Sequence, residues 1–242
     1  MDKYFIEFRI MGPMKRDIKA ITYEVRKNCN LRGAKPVPHI SLVSSPTPSS
    51  GKRDERRLIA DFNEVCARYP AMEFQFNGFG HFDNFPANGV AKINIIPSEK
   101  MLELRWDLIN RLRSYCDLDR NYDATRNFYT PHATIAMKLD RPQLTRVMNH
   151  LSRLEQPRKH YYLARATLLK NSRILSEYDF FLRKSLTRSQ ALSKRIQAMT
   201  QRKIRQQIKE KSYMRESMAA QQKFTLFHPF QRAFQKFISL FK

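Results

Sequence analysis

The sequence predicts an α+β fold, in which antiparallel hairpins are mixed with helices, followed by a basic helical extension. The chain has 242 residues, of which 42% are hydrophobic and 12% aromatic. This composition is sufficient for a sizeable core and excludes a disordered chain. Strand-like alternation and helix-like periodicity follow one another up to about residue 182, and the pattern then changes to Gln-, Lys- and Arg-rich stretches. That order favours α+β over a doubly wound parallel sheet.

The first half of the chain predicts strands and helices in turn. Residues Tyr4 to Ile10 alternate apolar and polar side chains, which is typical of a half-buried strand. Ile18, Ile21 and Val25 lie on one face of the helix that follows, because they recur at helical spacing. The further elements are a strand at His39–Val43, a Ser/Pro/Gly loop at Ser44–Gly51, a helix at Asp54–Tyr69, and strands at Met72–Phe79 and Val90–Ile96.

The second half continues the alternation and ends in a hairpin. Ser98 is an expected N-cap for a helix that runs to about Tyr115. A strand at Ala133–Met137 and a helix after Pro142 come next. Two long strands, Tyr161–Leu169 and Ile174–Leu182, close the domain through a tight turn. We therefore expect one domain over residues 1–182 and a mainly helical extension over residues 183–242.

Charge and composition narrow the class of protein. Lys and Arg number 45 against 22 Asp and Glu, which gives a net charge of +23 and indicates a polyanionic partner such as nucleic acid. The three cysteines have no metal-ligand spacing, so neither a zinc site nor a disulfide framework is expected. No apolar run is long enough to span a bilayer, and the N-terminus lacks the layout of a secretory signal. These features predict a reduced, cytoplasmic setting.

Two short segments of the sequence repeat one another. Pro38-His39-Ile40-Ser41-Leu42 and Pro131-His132-Ala133-Thr134-Ile135 share the pattern Pro-His-apolar-hydroxyl-apolar. Because side chains on a strand alternate between faces, the His and the hydroxyl residue of each copy share one face. If the two copies lie side by side, a cleft with two imidazoles and two hydroxyl groups results.

This set of groups suits cleavage of a phosphodiester without a metal ion. Imidazoles titrate near neutral pH, so one His can act as the base and the other as the acid. The hydroxyl groups can donate hydrogen bonds to the non-bridging phosphate oxygens and so stabilise charge in the transition state. A single His-x-Ser is a weak signal, but two copies in equivalent settings strongly favour function. No cofactor and no metal are expected.

With these residues the chain resembles the 2H phosphoesterase superfamily, in its 2′-5′ RNA ligase-like branch. The resemblance covers about residues 1–182 and includes both motifs, Phe79-Gly80-His81-Phe82 and the strand at Val90–Ile96. It implies a bilobal fold, in which two similar lobes of antiparallel sheet and helices each contribute one motif to a central cleft. It also implies an enzyme that opens 2′,3′-cyclic phosphates at RNA ends to 2′-phosphates, with reversible 2′-5′ ligation as a further activity.

The resemblance carries roles onto individual residues. His39 and His132 become the acid and the base, with His132 deprotonating the attacking water, while Ser41 and Thr134 hold the phosphate. Many relatives have Arg five positions after the second His, where this chain has Met137. The cationic contact to RNA then falls to Lys138 or Arg126, or is missing.

Two aromatic residues near the motifs are weaker candidates for substrate binding. Phe82 can stack on an unpaired base, although packing in the core is equally consistent with the sequence. Tyr129, three residues before His132, can flank the substrate or simply occupy the other face of the strand.

The extension has its own alternatives. Its Lys and Arg residues fit the backbone of RNA, or a solvated helical face. Phe230–Lys242 has aromatic residues at helical spacing with basic residues between them, which suits packing on the protein itself, a protein partner or an anionic membrane. The competing function is an RNA- or nucleotide-binding module with little catalysis, whose affinity depends on the extension.

Overall fold

The structure is a computed structural model that describes residues 2–32, 37–84, 88–119, 122–123 and 129–212. The chain divides into two compact units, Met1–Thr200 and Gln201–Lys242. Two of the sequence predictions, on Arg126 and on Phe230–Lys242, lie outside the described residues. Residues 183–200, which the sequence assigned to the extension, belong to the first unit.

The first unit contains the predicted mixture of strands and helices, with a few short elements that the sequence did not predict. The strands are β1 (Tyr4–Arg9), β2 (His39–Val43), β3 (Thr47–Pro48), β4 (Met72–Asn84), β5 (Asn88–Pro97), β6 (Cys116–Asp117), β7 (His132–Leu139), β8 (His160–Leu163), β9 (Arg165–Lys170), β10 (Arg173–Asp179) and β11 (Lys184–Leu186). The helices are α1 (Gly12–Asn28), α2 (Gly51–Ala67), α3 (Glu99–Leu112), α4 (Arg141–Leu151) and α5 (Arg188–Leu192), and residues 194–200 are also helical. The short strands β3, β6 and β11 were not predicted, whereas α5 lies in the segment that was predicted to be mainly helical.

Two antiparallel sheets form the framework of the unit. The first sheet has five strands in the order β11-β10-β9-β1-β2, and the second sheet has four in the order β7-β5-β4-β8. The two strands that carry the repeated motifs, β2 and β7, are therefore edge strands of different sheets. These two edges lie next to each other, because β2 and β7 are in contact. The α+β class and the two-lobed arrangement predicted from the sequence are confirmed.

Helices cover one face of each sheet and leave the other face for polar residues. α2 and α3 pack on the first sheet, and α1 and α4 pack on the second. On β1 the residues facing the helices, Ile6 and Phe8, are fully buried, whereas Glu7 and Arg9 point to the opposite face. The same alternation on β2 buries Ile40 and Leu42 on one face and leaves His39 and Ser41 half-buried on the other. Burial of the apolar face thus determines which side chains face the cleft.

The strand predicted at Tyr161–Leu169 is wrong in one respect, because the structure divides it between the two sheets. β8 pairs with β4 of the second sheet, and after Ala164 the chain enters β9, which pairs with β1 and β10 of the first sheet. The sequence has no Gly or Pro at this point and gives no sign of this crossing. The next strand, β10, also ends at Asp179, three residues before the predicted Leu182.

The turn between β9 and β10 has the predicted position. Asn171 and Ser172 have φ values of 50° and 63°, and Lys170 pairs with Arg173 across the two-residue loop. Positive φ at both central residues is the geometry of a type I′ turn, which matches the twist of a hairpin. Asn171 is one of the non-glycine residues that best tolerate this region.

A buried ionic network lies on the polar face of the first sheet, under the segment 187–200. The Arg165 guanidinium donates to Asp179 and Glu177 at 2.8 Å each and to the Thr200 hydroxyl at 2.7 Å. Thr200 in turn donates to Asp179 at 2.5 Å. All four residues are at most 1% exposed. Glu177 also accepts from Arg9, the Cα partner of His39, so the network reaches the strand next to the first motif.

The second unit is described over residues 201–212, which are helical. This stretch carries the basic side chains Arg202, Lys203, Arg205, Lys209 and Lys211 against a single acid, Glu210. Over the part of the chain that the structure describes, no helix has the length and apolarity needed to cross a membrane.

The network predicts a large effect from a small change at Thr200. Thr200→Val keeps the shape of the side chain but removes the hydroxyl that joins Arg165 to Asp179. Leaving those buried groups without this partner should lower the free energy of unfolding by about 1–3 kcal/mol. Denaturant unfolding followed by circular dichroism measures this value. Thr145→Val, at an exposed position of α4, is the matched control and should change it by less than about 0.5 kcal/mol. Equal effects of the two substitutions would contradict the structural role of the network.

Candidate active site

The two sequence motifs meet where the edges of the two sheets lie together. His39 and Ser41 are half-buried on β2, with Ile40 and Leu42 fully buried on the opposite face. His132 and Thr134 occupy the same positions on β7. His39 is also close enough to His132 to depress its pKa by charge repulsion. The structure therefore brings the two imidazoles and the two hydroxyl groups to the junction of the two sheets.

Both imidazole rings are held by the same local hydrogen bond. His39 Nδ1 lies 2.8 Å from the carbonyl oxygen of Val37, and His132 Nδ1 lies 2.9 Å from that of Thr130. A carbonyl oxygen only accepts, so each Nδ1 carries the proton and each Nε2 presents a lone pair in the neutral ring. In the described residues neither Nε2 has a hydrogen-bond partner, which leaves both atoms available for proton transfer.

The proline of each motif explains why this bond occurs twice. Val37 precedes Pro38 and Thr130 precedes Pro131, and a residue before proline is restricted to extended backbone. Its carbonyl is then in the same position relative to the His side chain two residues later in both copies. The Pro-His repeat thus sets the tautomer of the imidazole as well as the position of the strand.

An aromatic ring fixes each imidazole from the side. Phe5 on β1 meets His39 edge-on with ring centroids 5.4 Å apart, and Phe82 on β4 meets His132 in the same way at 5.0 Å. These contacts restrict rotation of the imidazoles about χ2. They also exclude water from one side of each ring, which lowers the local polarity.

The residues beside the two hydroxyl groups differ in charge. Ser41 is the Cα partner of Glu7 on β1, and Thr134 is the Cα partner of Lys92 on β5. Glu7 Oε2 lies 3.8 Å from His39 Nδ1. Lys92 Nζ lies over the face of Phe82, 3.7 Å from the ring centroid. The two lobes therefore place an acidic side chain, Glu7, next to the first motif and a basic side chain, Lys92, next to the second.

The surroundings shift the pKa values of the groups in the cleft. Burial lowers the pKa of His39 and of His132 from the usual 6.5, and for His132 the positive charges of Lys92 and His39 lower it further. Burial raises the pKa of Glu7 to about 7, against the opposing effect of Arg9. Burial also lowers the pKa of Lys92. The neutral, proton-accepting form of both imidazoles is thus favoured in the free protein.

A buried cluster beneath the cleft joins the two motifs. Arg105 on α3 donates to the carbonyl of Leu42 at 2.9 Å and to the carboxylate of Asp123 at 2.9 Å. Its guanidinium also lies over the ring of Tyr129, 4.3 Å from the centroid. Tyr129 donates its hydroxyl to the carbonyl of Ser41 at 2.6 Å. This chain of contacts holds the end of β2 against the segment that leads into β7.

The structure separates the weaker candidates. Phe82 contacts His132 and Lys92, so it lies in the site. Tyr129 is 7% exposed, and its hydroxyl is bonded to Ser41, so it lies beneath the cleft as a link between the motifs.

Lys138 is exposed at a bulge near the far end of β7, with φ of 59°. Six residues from His132 correspond to about 20 Å along the strand, so the structure does not bring Lys138 to the motif. Arg126 lies outside the described residues.

The sequence did not single out Glu7, Lys92 or Arg105. Glu7 and Lys92 follow a recognisable pattern, since they are charged residues on the polar face of otherwise apolar strands. Their importance depends on which residues they pair with across the sheets, and the register of these pairings is not readable from spacing alone. Among the residues that the structure describes, no group of three His, Cys, Asp or Glu side chains is arranged to hold a metal ion.

A comparison with protein families decides the identity of the fold. The family described as the 2′-5′ RNA ligase superfamily matches residues 13–174. The chain belongs to this superfamily. The match spans both histidine motifs, all four strands of the second sheet, and β2 and β9 of the first sheet. Members of the 2′-5′ RNA ligase superfamily are phosphoesterase-type enzymes, and the family expected from the motifs is confirmed.

Solved structures with a similar arrangement come from bacteria and yeast. TT0787 of Thermus thermophilus is 15% identical with a TM-score of 0.48, over 74% of this chain and 97% of that protein. Usb1 of Kluyveromyces marxianus is 13% identical with a TM-score of 0.46, over 72% and 95%. LigT of E. coli, crystallised with NADP+, is 10% identical with a TM-score of 0.43, over 74% and 97%. A search of curated protein sequences found no match.

The shifted pKa values predict how the two imidazoles titrate. In the free protein, His39 and His132 should have midpoints below 6.5, because burial disfavours their protonated forms. Proton NMR of the imidazole Cε1–H resonances measures both midpoints, with His39→Gln and His132→Gln for assignment. The same resonances in the urea-unfolded chain provide the reference near 6.5. A midpoint at or above that reference for either His would contradict the described environment.

Proposed function

We propose that this chain is a metal-independent phosphodiesterase that opens 2′,3′-cyclic phosphates at RNA ends to 2′-phosphates. The observation that carries the proposal is the pair of imidazoles, each with its Nδ1 bonded to a carbonyl and its Nε2 available at the junction of the two sheets. Membership of the 2′-5′ RNA ligase superfamily supports a phosphodiester as the substrate. The net charge of +23 suits a polyanion as the carrier of that group.

The proposed reaction uses one imidazole on each side of the phosphorus. Nε2 of His132 accepts a proton from water as the water oxygen forms a bond to phosphorus. Nε2 of His39, in its protonated form, donates a proton to the 3′-oxygen as the bond from phosphorus to that oxygen breaks. The product carries a 2′-phosphate and a free 3′-hydroxyl. Ser41 and Thr134 donate hydrogen bonds to the non-bridging oxygens, where negative charge develops.

The same residues account for ligation, which is the same displacement at phosphorus with a different nucleophile. Its reverse, cleavage of the 2′-5′ linkage, exchanges the roles of acid and base between the two imidazoles. If a 5′-hydroxyl of RNA replaces water, one imidazole deprotonates it and the other protonates the leaving 3′-oxygen, which joins the two ends through a 2′-5′ linkage. Ligation therefore needs no additional catalytic group in the cleft, only a second site for RNA.

Removal of either imidazole should abolish most of the turnover. His39→Ala and His132→Ala should each reduce kcat/KM on a short RNA with a 2′,3′-cyclic phosphate end by about 10²–10⁴-fold, because each removes one proton-transfer group. The assay follows formation of the 2′-phosphate by chromatography in the presence of EDTA.

His81→Ala is the matched control for this assay. His81 pairs with Asp83 and neighbours Phe82 along β4, so its side chain leaves the strand on the opposite face. The control should retain wild-type turnover and shows that loss of an imidazole is harmless outside the cleft. Full activity of either cleft variant, or activity of the wild type that disappears in EDTA, would contradict the proposal.

A second candidate function is an RNA-binding module in which the basic extension dominates the affinity. The observation that favours it is the helical stretch 201–212, with five basic side chains and one acidic. Phosphate contacts by such side chains make binding strongly dependent on salt. On this hypothesis the cleft recognises an RNA end or a nucleotide with little catalysis.

Neutralising three charges in this stretch separates the two candidates. We expect the triple variant Arg202→Gln, Lys203→Gln and Arg205→Gln to bind single-stranded RNA more weakly, with a salt slope smaller by about 2 if all three contact phosphates. Fluorescence anisotropy at several salt concentrations gives the slope. Turnover of a small 2′,3′-cyclic mononucleotide should remain at the wild-type level if the chain is an enzyme, since that substrate does not extend along the helix. Absence of any turnover by the wild type, together with tight binding, would favour the binding module.

A further inference from the structure

Lys92 is a largely buried lysine that has no carboxylate partner among the residues that the structure describes. Its residue is 8% exposed, and among the residues that the structure describes it makes no ion pair. Its one described partner is the ring face of Phe82, at 3.7 Å. Burial is also the sole cause of the lowered pKa of Lys92, so no nearby carboxylate offsets the loss of hydration.

An unpaired buried charge destabilises a fold. The effective penalty for removing an ion from water is several kcal/mol. A cation–π contact recovers about 0.5–2 kcal/mol. The two other buried cations among the described residues, Arg105 and Arg165, both have carboxylate partners at 2.8–2.9 Å. Lys92 therefore has no counter-ion among the described residues, and an anionic ligand could serve as one.

The position of Lys92 indicates which ligand it would contact. Lys92 is the Cα partner of Thr134 on one side and of Gly80 on the other. Gly80 has no side chain, and the space that its Cβ would occupy is taken by the amide group of Asn94, whose Oδ1 would lie 2.6 Å away. The charge of Lys92 also acts on His132. The ammonium thus lies on the floor of the second half of the cleft, beside one hydroxyl group and one imidazole.

The first half of the cleft has the opposite charge at the equivalent position. Ser41 pairs across the sheet with Glu7, as Thr134 pairs with Lys92. Glu7 is close to His39 and to Arg9, which also contacts Glu177. An anionic group entering the cleft is therefore attracted towards Thr134 and repelled from the side of Ser41 whenever Glu7 is ionised.

We propose that Lys92 is the phosphate-binding cation of this cleft, with its ammonium donating to the non-bridging oxygens of the substrate beside the hydroxyl of Thr134. This proposal rests on the proposed function, because it assigns a phosphodiester to the same cleft. The pairing of Lys92 with the second motif and of Glu7 with the first directs the phosphate towards the second lobe and sets a single orientation of the substrate. In this proposal Lys92 on β5 supplies the cationic contact that the family resemblance places five residues after His132, where this chain has Met137.

The test compares Lys92→Met with Lys138→Met in the full-length protein. Met preserves the unbranched side chain and its contact with Phe82 while it removes the charge. Isothermal titration calorimetry with adenosine 2′-monophosphate as the probe should show about 10- to 100-fold weaker binding for Lys92→Met, the loss of one charge-assisted hydrogen bond. Lys138→Met removes an exposed charge elsewhere on β7 and should bind as the wild type does. Lys92→Arg keeps the charge and should recover part of the affinity.

Two further readouts separate this role from a structural one. Lys92→Met should unfold at the same or a higher denaturant concentration than the wild type, because it removes an unpaired buried charge. A residue needed only for packing would instead lose stability with unchanged affinity. In the same variant the pKa of His132 should rise, since the repulsion from Lys92 is gone. His39, which faces Glu7 and the carbonyl of Val37, should keep its midpoint.

The outcomes distinguish failure of this proposal from failure of the proposed function. If the wild type does not open 2′,3′-cyclic phosphates but Lys92→Met still weakens binding of adenosine 2′-monophosphate, the proposed function fails and the phosphate site stands. If Lys92→Met binds the probe as tightly as the wild type, the assignment of Lys92 is overturned whatever the turnover. Failure of the wild type to bind the probe at millimolar concentration overturns it as well.

Discussion

The proposed cleft lies where the edges of two separate sheets meet, and it depends on the buried guanidinium of Arg105, which links the end of β2 to the segment before β7. β2 and β7 are edge strands of different sheets, so no β-ladder of backbone hydrogen bonds joins one to the other. Arg105 bonds to the carbonyl of Leu42 and to Asp123, and its ring contact with Tyr129 leads to the hydrogen bond with Ser41. The first motif and the segment that leads into the second are thereby linked through one buried side chain from α3. Without it, each sheet would still carry one His and one hydroxyl group, but the buried link that sets their separation would be lost.

The local geometry of the two motifs is nearly symmetric, whereas their electrostatic surroundings are not. Each His is held through Nδ1 by the carbonyl two residues earlier and through its ring by a phenylalanine. The symmetry supplies two equivalent proton-transfer groups. The opposite charges of Glu7 and Lys92 then make the two halves of the cleft different for an anionic substrate. In the proposed reaction, the orientation of the substrate therefore depends on residues outside the motifs.

The sequence could predict the α+β class, most of the elements and the four motif residues, because each depends on local patterns. Alternation places His39 and Ser41 on one face, and the repeat of that pattern at His132 points to a shared cleft. The crossing of the chain between sheets at Ala164 could not be predicted, since β8 and β9 follow one another without a Gly, a Pro or a loop between them. The same limit applies to Lys92, whose role follows from the register of β5 against β7. Register between distant strands is a tertiary property, decided by packing over the whole sheet.

The most direct measurement of the shared cleft is a two-bond ¹H–¹⁵N correlation spectrum of the histidine side chains, recorded at pH 7.5 with increasing adenosine 2′-monophosphate. Before ligand is added, His39 and His132 should both show the tautomer with the proton on Nδ1. On titration, both Nε2 resonances should move towards the protonated form with one dissociation constant, because a single phosphate lies between them. An Nε2–H tautomer for either His, or a response from only one of them, would contradict the shared phosphate site.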